Sequence, residues 1–140
     1  MTEAEARRID LFFYGLFMDE ALLLEKGMNP TNRRAASVEN FSLVIGARAT
    51  LIPFEGQRVH GVVFSLTHRE VDELYGKDSV SVYRPEALLA QLADGSVIPV
   101  LCFNLPVPPS RTERNPQYAA KLKEVASRIG LPQGYVSSIR

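Results

Sequence analysis

Leu11-Phe12-Phe13-Tyr14-Gly15 constrains this chain more than any other stretch. Its apolar residues are continuous rather than alternating, the pattern of a strand covered on both faces. Residues 10–14 are therefore expected to form a buried first strand. The strand stops at a glycine and runs on through Leu16-Phe17-Met18 into Asp19-Glu20-Ala21-Leu22-Leu23-Leu24, whose composition favours a helix. A strand that ends in glycine and feeds a helix leaves backbone N–H groups unpaired at the turn, and such groups suit a carboxylate or a phosphate. From the residues alone two readings stand: a turn surrounded by aromatic core, or an anion cradle.

The rest of the chain divides into short elements. Residues Thr2 to Arg8 read as a polar helical lead-in or a tail. A helix over 20–26 should close at Gly27. Met28 to Ala36 reads as a polar connection, Phe41 to Leu51 as a strand bent or broken at Gly46, and Pro53-Phe54-Glu55-Gly56 as a turn. Val59 to Leu66 is a strand. Thr67 with Glu70 three residues on is a capping box for a helix ending near Leu74, and 75–82 is a loop. Propensity would make 86–92 a helix, but Asp94-Gly95 before Val97–Phe103 is a hairpin turn, which requires a strand in front of it. Pro106, Pro108 and Pro109 make 105–114 an extended crossing segment. Asn115 and Pro116 open a helix with Leu122, Val125, Ala126 and Ile129 at helical spacing, closed by Gly130, and a last short helix follows Pro132. The expected fold class is α+β: a small curved mixed sheet or barrel with flanking helices, in one domain spanning 1–140.

Bulk properties narrow the function. Acidic and basic residues balance at 16 each, and the arginine doublets Arg7-Arg8 and Arg33-Arg34 make no basic stripe, so no nucleic-acid partner is expected. No apolar run is long enough to span a bilayer and no secretory leader is visible, so a soluble, cytoplasmic protein without a membrane partner is expected. Cys102 is the single cysteine. It stands among Val100, Leu101 and Phe103 and reads as a buried thiol rather than a nucleophile, and no metal site is expected. His60 and His68 have no ligand-like spacing. A small molecule is the expected partner.

In order along the chain, four motifs resemble the γ-glutamylcyclotransferase-like family. Phe13-Tyr14-Gly15-Leu16-Phe17 is similar to the family's N-terminal Tyr-Gly signature. Val59-His60-Gly61-Val62-Val63-Phe64 looks like its central strand, which a short helix follows. Tyr83-Arg84 is similar to the Tyr-Arg after its catalytic loop. Asn115-Pro116-Gln117-Tyr118, Gly130-Leu131-Pro132 and Tyr135 resemble its C-terminal pattern. The resemblance implies a barrel-like sheet with flanking helices and a pocket that works without a cofactor. In that pocket the Tyr-Gly turn would hold a substrate carboxylate. An acidic base would then free the substrate's own α-amine to attack its γ-carbonyl, releasing 5-oxoproline and an amine. Holding the amine against its own carbonyl gives proximity, and the ammonium must first lose a proton, so the reaction needs a base.

Carried over residue by residue, the resemblance implies a binding set of Tyr14, Gly15, Leu16, Phe17, Met18, Tyr83 and Tyr118. The family's base is a glutamate before a glycine, and here Tyr75 precedes Gly76. A phenol titrating near 10 is a poor base at neutral pH, so Asp78 and Glu73 are the candidate bases, either or neither. Leu16-Phe17 also replaces the small or polar pair of the signature, implying a more apolar, narrower pocket. Arg48 is a further candidate to attract a carboxylate. The expected activity is cyclisation of a γ-glutamyl amine or amide; the alternative is a catalytically inactive binding or regulatory protein for a carboxylate-bearing small molecule. A third reading makes Pro106–Pro109 a partner-recruiting segment.

Overall fold

The computed structural model describes residues 7–77 and 80–140. The apolar N-terminal run is strand β1 (Arg8–Phe13), followed by a 3-10 turn (Leu16–Met18) and helix α1 (Glu20–Glu25). Asp19 caps α1 by accepting from the Ala21 N–H at 3.1 Å, and Gly27, at φ +84°, ends it. Strands β2 (Thr31–Ile45) and β3 (Ala49–Thr67) form a long antiparallel hairpin. Helix α2 (His68–Tyr75), strands β4 (Arg84–Leu92) and β5 (Val97–Asn104), and helices α3 (Pro116–Arg128) and α4 (Gln133–Ser138) complete the order.

The five strands close into a barrel in the order β1-β3-β2-β4-β5. β1 lies antiparallel to β3, with Phe12 opposite Val63, and meets β5 in parallel at Leu11 and Leu101. Both neighbours of β1 thus come from distant sequence, and the successive residues Leu11, Phe12 and Phe13 are all buried, so both faces of the strand are covered, as its unbroken apolar run requires. Leu11, Phe12, Val62, Val63, Phe64 and Leu66 are all 2% exposed or less. Truncating a buried phenylalanine such as Phe12 or Phe64 to alanine costs about 3–5 kcal/mol. Helix α3 lays Leu122, Val125 and Ala126 into the same core. Gly61 is needed for the close approach of β1: a Cβ there would stand 2.2 Å from the Phe13 carbonyl oxygen.

Most expected elements are present. The capping box is made, with Thr67 accepting from the Glu70 N–H at 3.2 Å and Glu70 accepting from the Thr67 N–H at 2.8 Å. Residues 86–92 are strand and pair with β5 across the Asp94-Gly95 turn, so pairing overrides their helical propensity.

Three expectations are corrected. Thr31 to Ala36 is not a connection but the start of β2, its polar side chains lying on the outer surface; Arg34, for example, pairs with Asp10 at 2.7 Å. Pro53–Gly56 is not a turn but lies inside β3. Its turn-like residues mark an irregularity: the register shifts between Glu39 and Phe41, Asn40 and Gly56 both have positive φ, and the Asn40 side chain accepts from the Gly56 N–H. The true hairpin turn is at Gly46–Arg48, where Gly46 N–H bonds to the Arg48 carbonyl at 3.0 Å. Of the expected N-terminal lead-in, residues 2–6 lie outside the described residues and Arg8 opens β1.

Candidate functional site

A cavity of about 380 Å³ opens where β1 ends. Its size suits a small molecule. Phe12 and Phe13 of β1 line it and pass the chain to Tyr14, Gly15, Leu16 and Phe17, which line it too. The 3-10 turn is closed by Met18 N–H to Gly15 carbonyl and Asp19 N–H to Leu16 carbonyl, both 3.0 Å.

Gly15 is used for space, not for unusual backbone angles. Its φ is −111°, open to any residue, but a Cβ would stand 2.6 Å from the Tyr118 hydroxyl. Helix α3 therefore delivers a phenol to the turn where a ligand carboxylate was expected to sit. Asn115 starts α3 by accepting from the Tyr118 N–H at 3.1 Å, which fixes where that ring enters.

The opposite wall is aromatic. Tyr75, the last residue of α2, stacks on Phe103 of β5 at 3.8 Å and 8°, and meets Phe17 and Tyr83 edge-on at 6.1 and 6.3 Å. Tyr83 donates to the Ala49 carbonyl at 2.5 Å, and Tyr14 to the Phe103 carbonyl at 2.7 Å. Burial raises all four phenols: Tyr83 is pushed up to about 12, and Tyr14, Tyr75 and Tyr118 are also raised above 10. At neutral pH the wall is uncharged and contains no base.

Charge enters from three other elements. Lys26 follows α1 and holds its ammonium 5.9 Å from the Phe17 ring centre. Arg48 comes from the β2–β3 turn and Lys121 from α3. The crossing segment fastens that turn in place: Pro109 packs against Gly46, Glu113 accepts from the Ala47 N–H at 3.3 Å, and Asn115 donates to the Ala47 carbonyl at 3.3 Å. Among the described residues, no aspartate or glutamate lines the cavity.

The structure thus brings together Tyr14, Gly15, Leu16, Phe17, Tyr83, Tyr118 and Arg48. It separates Met18, which is 1% exposed and packs in the core beneath the turn. Glu73 is also apart: it lies on the outer face of α2, half exposed, 3.3 Å from Arg69 one turn back. Asp78 lies outside the described residues. Sequence reasoning missed Lys26 and Lys121 as site residues, because they stand far apart in the chain and share no motif. It also used Tyr75 only as a missing glutamate, whereas the ring is a wall of the cavity. Cys102 is fully buried, and burial pushes its thiol up to about 12. His60 packs against Tyr135, with ring centres 5.1 Å apart, away from the cavity. Among the described residues there is no cluster of three metal-ligating side chains and no helix long and apolar enough to cross a membrane.

Comparison with known proteins agrees with this architecture. A solved gamma-glutamyl cyclotransferase superposes with a TM-score of 0.78 at 20% identity, over 96% of this chain and 89% of that one. An uncharacterized human protein superposes with a TM-score of 0.76 at 20% identity, over 95% and 88%. A yeast gamma-glutamyl cyclotransferase specific to glutathione gives 0.61 at 14% identity, over 94% and 95%. At such identities the likeness is one of fold. No curated protein matches the sequence. The family profile described as gamma-glutamyl cyclotransferase, AIG2-like, matches residues 11–121. With the barrel and the Tyr-Gly turn in place, this chain belongs to the gamma-glutamyl cyclotransferase, AIG2-like family.

Proposed function

We propose that the cavity receives a small molecule through its carboxylate, and that this chain binds such a molecule without cyclising it. The observation that carries this reading is the composition of the wall: Lys26 and Lys121 line it, and no acidic side chain does among the described residues. Cationic side chains attract a carboxylate. Cyclisation needs a group that removes a proton from an ammonium near neutral pH. Tyr75 stands where the resemblance puts the glutamate, and its phenol, raised by burial, cannot do this. Tyr14, Gly15, Leu16, Phe17, Tyr83 and Tyr118 form the proposed binding set. A buried lone thiol suits the reducing cytoplasm, where we place the protein.

The test combines two measurements on the purified chain: calorimetric titration with 5-oxoproline and γ-glutamyl compounds, and release of 5-oxoproline from the same panel. Saturable binding with no release above the uncatalysed rate is expected. Family membership favours a second reading, cyclisation of a γ-glutamyl amine with Asp78 as the base. Turnover that is lost in Asp78→Asn but kept in Glu73→Gln would establish that reading and remove the first.

A further inference from the structure

The cavity that attracts a carboxylate also constrains the rest of its ligand, a step that rests on the binding reading above. We infer that it takes an amphipathic acid head-out: one carboxylate held at the mouth by Lys26 and Lys121, and a compact aromatic tail turned inward.

The polarity of the cavity changes with depth. Phe12, Phe13 and Tyr14, which line it from the end of β1, are only 2%, 3% and 7% exposed. Its charged residues, Lys26, Arg48 and Lys121, are all exposed. Charge therefore belongs to the mouth and aromatic surface to the interior. Lys26 marks the boundary, with its ammonium 5.9 Å from the Phe17 ring centre.

The interior is poorly equipped for a carboxylate. Tyr14 and Tyr83 donate their hydroxyl hydrogens to the Phe103 and Ala49 carbonyls, so each presents its ring. At the turn, the Met18 and Asp19 N–H groups are spent on closing it, and the Tyr118 hydroxyl crowds Gly15. A carboxylate moved inward would exchange water for aromatic surface and lose hydration. At the mouth it stays hydrated and meets two ammonium groups. An apolar tail gains from the same inward move, because it leaves water. The wall that receives it, where Tyr75 stacks on Phe103 and meets Phe17 edge-on, suits a further ring.

Four ligands separate tail from head: 3-phenylpropanoate, succinate (a second carboxylate in place of the ring), 3-phenylpropanamide (the same tail without the charge) and 5-oxoproline. Calorimetric titration of the full chain at low ionic strength is expected to rank 3-phenylpropanoate tightest, at least tenfold ahead of each of the others. Lys26→Gln and Lys121→Gln should each narrow its preference over 3-phenylpropanamide severalfold. Its phenyl protons should show nuclear Overhauser contacts to the Tyr14 and Phe103 rings; contacts confined to Lys26 and Lys121 overturn the head-out orientation. Equal or tighter binding of succinate or 5-oxoproline overturns the aromatic tail and leaves the carboxylate pocket standing. Equal binding of 3-phenylpropanamide, or failure of all four to bind, overturns the carboxylate reading beneath it.

Discussion

The two ends of β1 treat charge in opposite ways. At its start, Arg8 and Arg34 each have a matched acid. Arg8 lies 3.6 Å from Glu70 and donates to the carbonyls of Asn29 and Ser65; Arg34 lies 2.7 Å from Asp10, which also accepts from Ser65 at 2.6 Å. At its end, past Phe13, Lys26 and Lys121 line a cavity whose described wall carries no acidic side chain. The first arrangement is closed: its hydrogen bonds tie β1, β3, the start of β2 and α2 together. The second keeps its attraction for something that arrives from solvent. Charge that is balanced within the fold serves stability, and charge held against a cavity serves binding.

The largest expected effect breaks the balanced end. Glu70 is 4% exposed, caps α2 and accepts from the Thr67 and Asn29 N–H groups. Glu70→Ala leaves the buried Thr67 N–H and the part-buried Asn29 N–H without their acceptor and removes the acid beside Arg8, at a cost of about 3 kcal/mol. Urea unfolding of the variant against the parent measures it. A loss under 1 kcal/mol would mean that this end is no more structural than the other.

Next in size is the acid response of the same end. Burial pushes the Glu70 carboxyl up, but hydrogen bonds from Thr67 and Asn29, with Arg8 nearby, outweigh it and hold the group below its ordinary 4.5. Asp10 is likewise held below 3.8 by Arg34 and Ser65 against the effect of burial. Because both folded values are depressed, the stability they supply is fully present above the unfolded values. It is lost as pH falls from there through the folded ones. Stability should therefore decline below about pH 4.5, and Glu70→Gln should flatten that decline. An unchanged acid limb in Glu70→Gln would take the pH response away from this cluster.

The cavity end should behave in the reverse manner. Lys26 and Lys121 are exposed, and no acidic side chain lines the cavity beside them among the described residues. Lys26→Gln and Lys121→Gln are expected to change unfolding free energy by less than about 0.5 kcal/mol while weakening an anionic ligand severalfold. Destabilisation without loss of affinity would erase the contrast between the two ends.

How much of this was legible in the sequence depends on how local each feature is. The capping box of Thr67 and Glu70, the Asp94-Gly95 hairpin and the Asn115-Pro116 helix start are each set by a few adjacent residues, and each formed as expected. Pro53–Gly56 misled because a glycine that permits a turn also permits positive φ inside a strand, and only the pairing of β2 with β3 decides between them. The start of β2 was hidden for a related reason: residues 31–33 face solvent, so they carry none of the apolar signal that marks a strand. In the site, the Tyr-Gly turn was readable as one contiguous stretch. The convergence of Lys26, Arg48 and Lys121 was not, because it exists only after three distant elements have packed.

The smallest expected effect falls on Tyr75, which stands at the edge of the comparison as the residue in the base's place. Its ring stacks on Phe103 at 3.8 Å and meets Phe17 and Tyr83 edge-on, contacts that need the ring and not the hydroxyl. Burial holds its phenol protonated far above neutral pH, so the hydroxyl adds neither charge nor basicity to the cavity. Tyr75→Phe should therefore leave ligand affinity within about twofold, since the ring contacts that carry the packing energy survive. Tyr75→Ala, by contrast, removes the stack and should weaken both ligand binding and the fold. If Tyr75→Phe alone cost tenfold or more in affinity or in any 5-oxoproline release, the hydroxyl would be a working group of the site. The uncharged aromatic wall would then have to be redrawn as a polar one.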